Sequence, residues 1–287
     1  MTTMGNQTHN RRDFAITCVI EDRAAPPLAN EHGLCLWISS KEGQMLFDTG
    51  GSGKNLLHNL RHLNFDPSAL NAVALSHAHD DHTGGLKALL PHLPPGTPLY
   101  AHPTIFRPRY SDHGTGPEER GIDLTQQDLE TALTLHLSSE PQEIIPGVWT
   151  TGEITERPHP EGRSPRHTVI ENDKHIPDPY QDDLSLVIQT QEGLFVLCGC
   201  CHAGLLNTLQ HVQTHWDRPI IGIGGGTHML SASENTLRET IAALEALQTL
   251  HYVWLGHCSG ETFIQQMATR TQAWQFQQCK AGTQIKL

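Results

Sequence analysis

Three histidines and two aspartates stand within six consecutive residues, directly after the apolar run 71–76. The run predicts a strand, and in an extended stretch the side chains two positions apart point to the same side. His77 and His79 can therefore bind one metal ion, because imidazole nitrogen is a common zinc ligand. Asp81 and His82 come after a predicted turn, where they can face a neighbouring ion. The spacing thus predicts two adjacent metal ions.

Three further histidines follow other apolar runs, and strands that end at one edge of a sheet would bring them to the same site. They are His202, His228 and His257, which follow the runs 193–198, 219–223 and 252–255. His202 also precedes a predicted helix, whose positive dipole end favours the neutral imidazole that a metal requires. Each is a candidate ligand, and for each the alternative is a polar loop side chain that binds nothing.

Two other residues are candidates for a supporting or bridging role. Asp48 opens a glycine-rich stretch, but a phosphate-binding loop requires Gly in place of Asp48 and Ser or Thr in place of Asn55. The glycines of 222–226 likewise lack the third glycine of a dinucleotide-binding fingerprint, since Thr227 stands there. We therefore expect Asp48 to hydrogen-bond the loops that carry the ligands. Cys200 lies in a C-x-x-C spacing without the second pair of a zinc ribbon, and its thiolate is a candidate bridging ligand.

The bulk properties of the chain favour one globular domain. Its 287 residues can bury a large core, and we expect a flexible segment at 1–13 followed by a single domain at 14–287. The net charge of −12 argues against nucleic acid as a partner, because phosphate backbones need a basic surface. The sequence shows neither a signal peptide nor a long apolar run, so we expect a cytoplasmic protein with no membrane partner. The odd count of seven cysteines fits reduced thiols.

Apolar periodicity predicts short strands first and then alternating strands and helices, which is typical of an α/β layered fold with two related halves. The first three strands are expected to form an antiparallel meander. Ser231 with Glu234 is predicted to form a capping box at the start of the helix 233–247. The predicted strands are 14–20, 33–39, 44–47, 71–76, 98–101, 184–188, 193–198, 219–223, 252–255 and 273–279. The predicted helices are one that begins near 54 and those at 83–90, 125–131, 203–214, 233–247 and 261–270.

The segment near 103–183 is rich in Pro, Gly and charged residues and predicts only a short helix. A connection of this length within a compact domain is more often a binding lid than a simple loop. We therefore expect a lid-like insertion in the domain. Arg107, Arg109 and Arg157 within it are candidate clamps for a phosphate or carboxylate group of the substrate.

Five short motifs lie at or beside the predicted strand ends. They are Leu75-Ser-His-Ala-His-Asp-Asp-His-Thr-Gly-Gly-Leu86, Pro177-Asp-Pro-Tyr-Gln-Asp-Asp-Leu-Ser-Leu-Val187, Gly199-Cys-Cys-His-Ala-Gly204, Gly225-Gly-Thr-His228 and Gly256-His-Cys-Ser-Gly260. Over about residues 14–280 the chain resembles the metallo-β-lactamase superfamily. More narrowly, it resembles the branch named for the archaeal 7,8-dihydropterin-6-methyl-4-(β-D-ribofuranosyl)aminobenzene 5'-phosphate synthase. The resemblance implies a four-layer αββα sandwich with metals at one edge.

The resemblance also implies how the candidate ligands divide between two metals. The two sets are His77, His79 and His202 for one ion and Asp81, His82 and His257 for the other. The superfamily usually has a bridging aspartate after the strand that ends near Gly199, whereas this chain has Cys200 there. The resemblance therefore does not imply which residue bridges the two metals, nor that the second metal site is filled.

These features together predict a hydrolase or transferase with two divalent metal ions, for which zinc is the expected metal. The ions would polarise a phosphoryl or carbonyl oxygen and activate a water molecule, with Asp81 as both a ligand and the group that orients the water. In synthase chemistry they would instead stabilise a departing diphosphate. The expected substrate is a small phosphorylated or pterin-like anion, attracted by the metals despite the acidic surface. The alternatives are a lactone or β-lactam hydrolase and a metal-bound ligand sensor without turnover.

Overall fold

The chain folds into four layers, in which two β-sheets pack face to face and helices cover their outer faces. A computed structural model describes residues 13–287. The segment predicted to be flexible, 1–13, lies outside the described residues except for its last residue. The layered arrangement is the αββα sandwich expected from the motifs.

The first sheet has seven strands. In spatial order they are β18 (Gln284–Lys286), β1 (Ala15–Ile20), β2 (Cys35–Ser40), β3 (Gly43–Phe47), β4 (Ala72–Ala74), β5 (Thr97–Ala101) and β8 (Leu133–Leu137). Strands β1, β2 and β3 pair antiparallel, which is the predicted meander. Strands β3, β4, β5 and β8 run parallel, so their carboxyl ends meet at one edge of the sheet.

The second sheet also has seven strands. In spatial order they are β17 (Gln275–Gln278), β16 (Tyr252–Leu255), β15 (Ile220–Gly225), β14 (Leu194–Cys198), β13 (Ser185–Gln189), β10 (Val148–Thr150) and β9 (Glu143–Ile145). Strands β10, β13 and β14 pair antiparallel, and β14 to β17 run parallel. The two sheets thus share one topology, an antiparallel meander followed by parallel crossovers, as expected for two related halves.

Seven α-helices lie within residues 13–287. They are α1 (Gly53–His62), α2 (Asp80–Thr83), α3 (Leu86–Leu89), α4 (Gln126–Glu130), α5 (Leu205–His215), α6 (Glu234–Ala246) and α7 (Glu261–Ala268). The buried faces of α1 and α3 pack on the first sheet, and those of α5, α6 and α7 pack on the second. None of these helices combines the length and the apolar character that a membrane span requires.

The inner core between the sheets fixes how the two halves sit relative to each other. Leu36 and Phe47 from the first sheet meet Leu186, Phe195 and Trp254 from the second, and each is at most 1% exposed. Full burial of such a side chain stabilises the fold by about 1.5–3 kcal/mol. This packing brings the strand ends of both sheets to a common edge.

A third sheet lies within the predicted insertion, and we call it the small sheet. Its antiparallel strands are β12 (Lys174–Pro177), β11 (His167–Glu171), β6 (Arg109–Asp112) and β7 (Pro117–Glu119). The insertion predicted near 103–183 is not one continuous segment, however. Strands β8, β9 and β10 lie inside this range and belong to the two main sheets.

The predicted helix 83–90 is divided at a pair of glycines. Helix α2 ends before Gly84 and helix α3 begins after Gly85. A Cβ atom on Gly85 would lie 2.1 Å from the carbonyl oxygen of Thr49, and one on Gly84 would lie 2.3 Å from that of Gly51. The loop after β3 therefore packs directly against both glycines, where a side chain would not fit.

The capping box predicted for Ser231 and Glu234 is wrong. Helix α6 begins at Glu234, so the residue in the N-cap position is Ser233. The Ser233 hydroxyl accepts a hydrogen bond from the Thr236 backbone N–H at 3.1 Å. Ser231 lies two positions too early to reach the free N–H groups of the first turn.

Candidate metal centre

The predicted ligands lie together at the edge where parallel strands of both sheets end. In the first sheet, Asp48 follows β3 and His77 follows β4. In the second sheet, Cys200 follows β14 and His257 follows β16. The two sheets pack against each other, so these strand ends meet although the residues are far apart in the chain.

The first group consists of His77, His79 and His202, whose facing ring nitrogens lie within 4.8 Å of one another. Nε2 of His77 is 3.0 Å from Nδ1 of His79. Nδ1 of His202 donates to the carbonyl oxygen of Gly162 at 2.8 Å, so the hydrogen of the neutral ring lies on Nδ1. Nε2 of His202 is buried and has no hydrogen-bond partner among residues 13–287. Its lone pair is therefore available to a ligand.

Burial keeps the three imidazoles of the first group neutral. The pKa of each ring lies well below its ordinary value, first because burial disfavours the charged form and then because other histidines are close. Three neutral imidazoles with converging nitrogens are a ligand set for zinc or a similar divalent ion. An unpartnered buried nitrogen is costly unless a ligand satisfies it. The first group therefore fits a bound metal ion.

The second group consists of Asp81, His82, Cys200 and His257, whose ligand atoms also lie within 4.8 Å of one another. Nε2 of His82 is 3.1 Å from Sγ of Cys200 and 3.2 Å from Nε2 of His257. Oδ2 of Asp81 is 3.4 Å from the same nitrogen of His257. The rings of His77 and His82 are 4.2 Å apart, so the two groups are adjacent.

Asp48 connects both groups through hydrogen bonds. Its Oδ2 accepts from Nδ1 of His82 at 2.7 Å, and its Oδ1 accepts from the Ser76 backbone N–H at 2.7 Å. The Ser76 hydroxyl lies between Asp48 and Nδ1 of His77, at 2.7 and 2.9 Å. Because the Nδ1 hydrogen of His82 points to the carboxylate, its Nε2 faces the second group. Asp48 thus lies where the sequence predicts a supporting residue.

The second group carries more negative charge than the first. Burial raises the pKa of Asp81, but His82 and His257 outweigh this effect and place it well below its usual range. Burial lowers the pKa of His82, but Asp81 and Asp48 outweigh burial and raise it. The pKa of His257 is raised as well, against the effect of burial, by Cys258 and two carboxylates. The surroundings of the second group therefore favour positive charge, which a bound divalent cation would supply.

Cys200 stands where the resemblance implies an aspartate. The residue is 3% exposed, and its Sγ lies 3.1 Å from Nε2 of His82 and 3.4 Å from Nε2 of His257. Burial raises the pKa of the thiol well above its ordinary value, so the thiolate needs a neighbouring cation. A thiolate in this position is a good zinc ligand.

Replacement of Cys200 by Ser should lower metal affinity at the second group by about tenfold or more, because a neutral hydroxyl replaces a thiolate. The first group should keep its ion. Elemental analysis after dialysis would measure both, and in the cobalt-substituted protein the sulfur-to-cobalt absorption should disappear. Cys201→Ser is the matched control, since Sγ of Cys201 lies 3.3 Å from the Thr208 hydroxyl and belongs to neither group. An unchanged cobalt spectrum in Cys200→Ser would remove Cys200 from the ligand set.

Two consecutive aspartates hold the loops that carry the first group. Oδ2 of Asp182 accepts the Ala78 backbone N–H at 2.9 Å, between the first two histidines of the group. Oδ2 of Asp183 accepts the Ala203 N–H at 2.8 Å, beside the third histidine. Burial raises the pKa of Asp183 to about 7. Both aspartates lie in the motif 177–187, but the sequence did not indicate this positioning role.

Asp22 supports His257 on the ring edge that faces away from the second group. Its Oδ1 lies 3.1 Å from Nδ1 of His257, and the neighbouring Glu21 accepts the His257 backbone N–H at 2.6 Å. The carboxylate of Asp22 also lies 3.3 Å from Nδ1 of the exposed His32. A hydrogen bond from Nδ1 to a carboxylate orients an imidazole toward a metal and makes it more basic. Asp22 comes two residues after Ile20, the last residue of the predicted strand 14–20, so strand-end reasoning applied to it would have found it.

Left-handed backbone conformations are concentrated around these residues. Among residues 13–287, eight residues other than glycine have a positive φ angle. Four of them are Asn64, Asn172, Asp173 and Asp48 (59°), and Asn and Asp are residue types that tolerate this region. The other four are Tyr180 (48°), Cys201 (62°), His228 (47°) and His257 (49°). Each such conformation costs on the order of 1–2 kcal/mol, and strain of this kind is typical of functional sites.

The arginines predicted to clamp the substrate are mostly engaged elsewhere. Arg109 is buried, and its guanidinium contacts Asp178 at 2.9 Å and Asp182 at 2.7 Å. Arg157 donates to three backbone carbonyl oxygens and one carboxylate. This corrects the clamp role predicted for Arg109 and Arg157, because their N–H groups already have protein partners. Arg107 donates to one backbone carbonyl oxygen at 3.3 Å, and its role stays a prediction.

His228 lies beside the first group without joining it. Its ring is 4.4 Å from that of His202, but His228 belongs to neither set of converging ligand atoms. Its Nδ1 is buried and has no hydrogen-bond partner among the described residues. A ligand or supporting role for His228 stays a prediction.

Family membership follows from both the sequence and the fold. Residues 30–186, more than half of the chain, match the metallo-beta-lactamase superfamily. The chain therefore belongs to the metallo-β-lactamase superfamily, which confirms the resemblance seen in its motifs. This superfamily typically binds divalent metal ions such as zinc, and the two clusters of His, Asp and Cys side chains have the matching chemistry.

Individual relatives extend this similarity over most of the chain. The chain is 28% identical over 264 residues to the 7,8-dihydropterin-6-methyl-4-(beta-D-ribofuranosyl)-aminobenzene-5'-phosphate synthase of Methanocaldococcus jannaschii, covering 86% of this chain and 88% of the relative. It resembles the structure of Tm1679, a metal-dependent hydrolase of the beta-lactamase superfamily, with a TM-score of 0.81, 25% identity and coverage of 96% of this chain and 99% of that chain. The chain shares the fold alone with Zn²⁺-bound PqqB from Methylobacterium extorquens. The identity is 10%, the TM-score is 0.57, and the similarity covers 95% of this chain and 100% of that chain. The four-layer fold expected from the sequence is confirmed.

Proposed function

We propose that this protein is a binuclear metal-dependent hydrolase or transferase that acts on a small phosphorylated or pterin-like anion. The observation that carries the proposal is the adjacency of the two ligand groups, whose nearest rings, those of His77 and His82, are 4.2 Å apart. The names of two relatives support it, since one is a synthase of a dihydropterin-linked 5'-phosphate and the other a metal-dependent hydrolase.

The donor atoms favour zinc as the resident metal. The first group offers three imidazole nitrogens, and the second combines imidazole, carboxylate and thiolate donors. Zinc accepts all three donor types, whereas magnesium and calcium prefer oxygen alone. Divalent ions held there would supply Lewis-acid activation of a phosphoryl or carbonyl oxygen and of water.

Asp81 is the proposed catalytic carboxylate. Its side chain is 17% exposed, whereas those of His82 and His257 in the same group are 0% exposed. Asp81 can therefore be reached by a water molecule or a substrate hydroxyl. Because its pKa is well below the usual range, the carboxylate is ionised at neutral pH and can accept a hydrogen bond from that nucleophile.

Arg166 is the arginine that we propose to meet an anionic substrate. It directly precedes His167, whose ring lies 4.6 Å from that of His79 in the first group. Its Nη1 lies 3.4 Å from Nδ1 of His113, and it forms no ion pair with a carboxylate of residues 13–287. A compact anion can use this local charge, while the net charge of −12 opposes an extended polyanion.

A panel of small substrates tests the proposed function. We expect the zinc-loaded protein to turn over a phosphate monoester, a phosphate diester or a diphosphate faster than a homoserine lactone or a β-lactam. Asp81→Asn should lower kcat/KM by about 100-fold or more, since its carboxylate orients the nucleophile. Asp80→Asn is the matched control, because the neighbouring Asp80 is 45% exposed and pairs with Arg120.

Two results would overturn the proposal. Turnover of the lactone or β-lactam without turnover of any phosphorus compound would favour a lactonase-like enzyme. Tight binding of a dihydropterin with no turnover of any probe would favour a ligand sensor.

A further inference from the structure

The small sheet docks against the loop that carries the first group. The Asp80 backbone N–H donates to the carbonyl oxygen of Arg120, next to strand β7, at 2.9 Å. Arg109 in strand β6 binds Asp182, which in turn holds the Ala78 N–H. These contacts fix the small sheet beside the metal-binding edge, so its side chains can take part in the site.

His167 is the side chain of the small sheet that reaches the first group. It begins strand β11, and its ring lies 4.6 Å from that of His79 and 6.2 Å from that of His202. It belongs to none of the sets of converging ligand atoms in the described part of the chain. His167 is therefore beside the metal site without being one of its ligands.

A hydrogen-bond chain determines which nitrogen of His167 carries hydrogen. The Ser164 backbone N–H, which can only donate, lies 3.2 Å from the Tyr180 hydroxyl oxygen. The same hydroxyl lies 2.8 Å from Nδ1 of His167, and it has no other hydrogen-bond partner among residues 13–287. Tyr180 is 1% exposed, so a hydroxyl hydrogen without an acceptor would be costly. The hydroxyl therefore donates to Nδ1, and the hydrogen of the His167 ring lies on Nε2.

Tyr180 is held rigidly enough to impose this tautomer. Its ring stacks on that of His202 at 4.1 Å, with an interplanar angle of 17°. Its backbone has a φ angle of 48°, its N–H donates to Asp178 at 2.8 Å, and its carbonyl accepts from Arg157 at 2.9 Å. Both the main chain and the side chain are thus fixed, and the hydroxyl stays directed at His167.

The remaining nitrogen of His167 is free for a ligand. Its Nε2 has no hydrogen-bond partner in the described part of the chain, and it is not one of the buried polar atoms that lack a partner. The N–H on Nε2 is therefore accessible, and it lies on a ring adjacent to the first group. The neighbouring Arg166 adds positive charge near the His167 ring.

We propose that His167 is a catalytic residue whose Nε2–H donates a hydrogen bond to an anionic oxygen of the substrate at the first metal group, with Tyr180 as the positioning residue that fixes its tautomer. This inference rests on the proposed function, from which it takes the phosphoryl or diphosphate oxygen as the acceptor. A rigid N–H aimed at developing negative charge stabilises it without reorganisation. The same contact would bind inorganic phosphate, so binding can be measured apart from turnover.

The first test measures the tautomer in the resting protein. A two-dimensional ¹H–¹⁵N correlation spectrum of the histidine rings in the zinc-loaded protein should show His167 with hydrogen on Nε2 and a bare Nδ1. Tyr180→Phe keeps the stacked ring but removes the hydroxyl, so the His167 signals should shift toward a mixture of tautomers. Hydrogen on Nδ1 in the unaltered protein would overturn the inference whatever reaction the protein performs.

The second test measures phosphate affinity and metal content together. His167→Ala should weaken binding of inorganic phosphate to the zinc-loaded protein by about tenfold, because a charge-assisted hydrogen bond is lost, while its zinc content stays unchanged. Tyr180→Phe should weaken binding by a smaller factor. His175→Ala is the control, since His175 is an exposed histidine of strand β12 in the same small sheet. Unchanged phosphate affinity in His167→Ala, or a loss of zinc from it, would overturn the assignment.

These measurements separate the inference from the function on which it rests. If no phosphorus compound is turned over but phosphate binding falls in His167→Ala, the reaction is misassigned and the anion contact stands. If phosphorus compounds are turned over and His167→Ala changes neither kcat nor phosphate affinity, the function stands and the role of His167 is refuted.

Discussion

The double variant His77→Ala, His79→Ala should fold but lose its metal at the first group. Nε2 of His77 and Nδ1 of His79 are 3.0 Å apart and are two of the three converging nitrogens, so only His202 would remain. Loss of an outer hydrogen-bond partner already lowers metal affinity by about 10–100-fold, and loss of two direct ligands should exceed that. Elemental analysis of the dialysed protein would give the metal content, and circular dichroism would show that the fold is intact.

A second pair of histidines provides the control for this experiment. His58 and His62 lie on helix α1 with ring centroids 4.4 Å apart, and they belong to none of the groups of converging ligand atoms that residues 13–287 form. His58→Ala, His62→Ala should therefore keep the full metal content. If the variant at His77 and His79 also keeps it, the first group is not a metal site and the proposed function fails with it.

Arg109→Ala should lower the free energy of unfolding by about 3–5 kcal/mol. Arg109 neutralises two buried carboxylates, with Nε 2.9 Å from Asp178 and Nη2 2.7 Å from Asp182. Its removal leaves two unpaired charges in a site from which water is excluded, and that costs more than the ion pair contributes when intact. Urea denaturation, with the midpoint and slope compared with the unaltered protein, would measure the loss.

Two further variants separate the unpaired charge from lost packing. Arg107→Ala removes a guanidinium from the same segment, but among residues 13–287 this one donates to a backbone carbonyl oxygen alone, so stability should change by about 0.5 kcal/mol or less. The combined variant Arg109→Met, Asp178→Asn, Asp182→Asn removes all three charges and should recover most of the stability. If the combined variant is as unstable as Arg109→Ala, lost packing rather than unpaired charge explains the effect.

The positions of the candidate ligands could be predicted because they follow one rule. His77, His202 and His257 each come shortly after a short apolar run, and parallel strands of stacked sheets end at a common edge. Alternation of apolar and polar residues indicates a strand equally well. Leu133-Thr-Leu-His-Leu137 alternates apolar and polar residues and forms strand β8, although its polar surroundings suggested part of a lid.

The partners of charged side chains could not be predicted in this way. Arg109 and Asp182 are 73 residues apart, and nothing in the local pattern distinguishes an arginine that clamps a substrate from one that neutralises a buried aspartate. His167 likewise stands in a polar stretch without periodicity, and its closeness to His79 arises only when the small sheet docks. Side chains whose role depends on how distant segments pack leave no trace in short-range spacing.

The division of the ligands between the two sheets has a consequence for folding and metal uptake. Each half contributes only part of each group, and His82 and His257, which meet in the second group, are 175 residues apart. No fragment that contains one half alone can complete either group, so an ion can be captured only after the halves have docked. Once bound, it would tie distant segments together as a disulfide does, and a shortage of metal would reduce the yield of folded protein as well as its turnover.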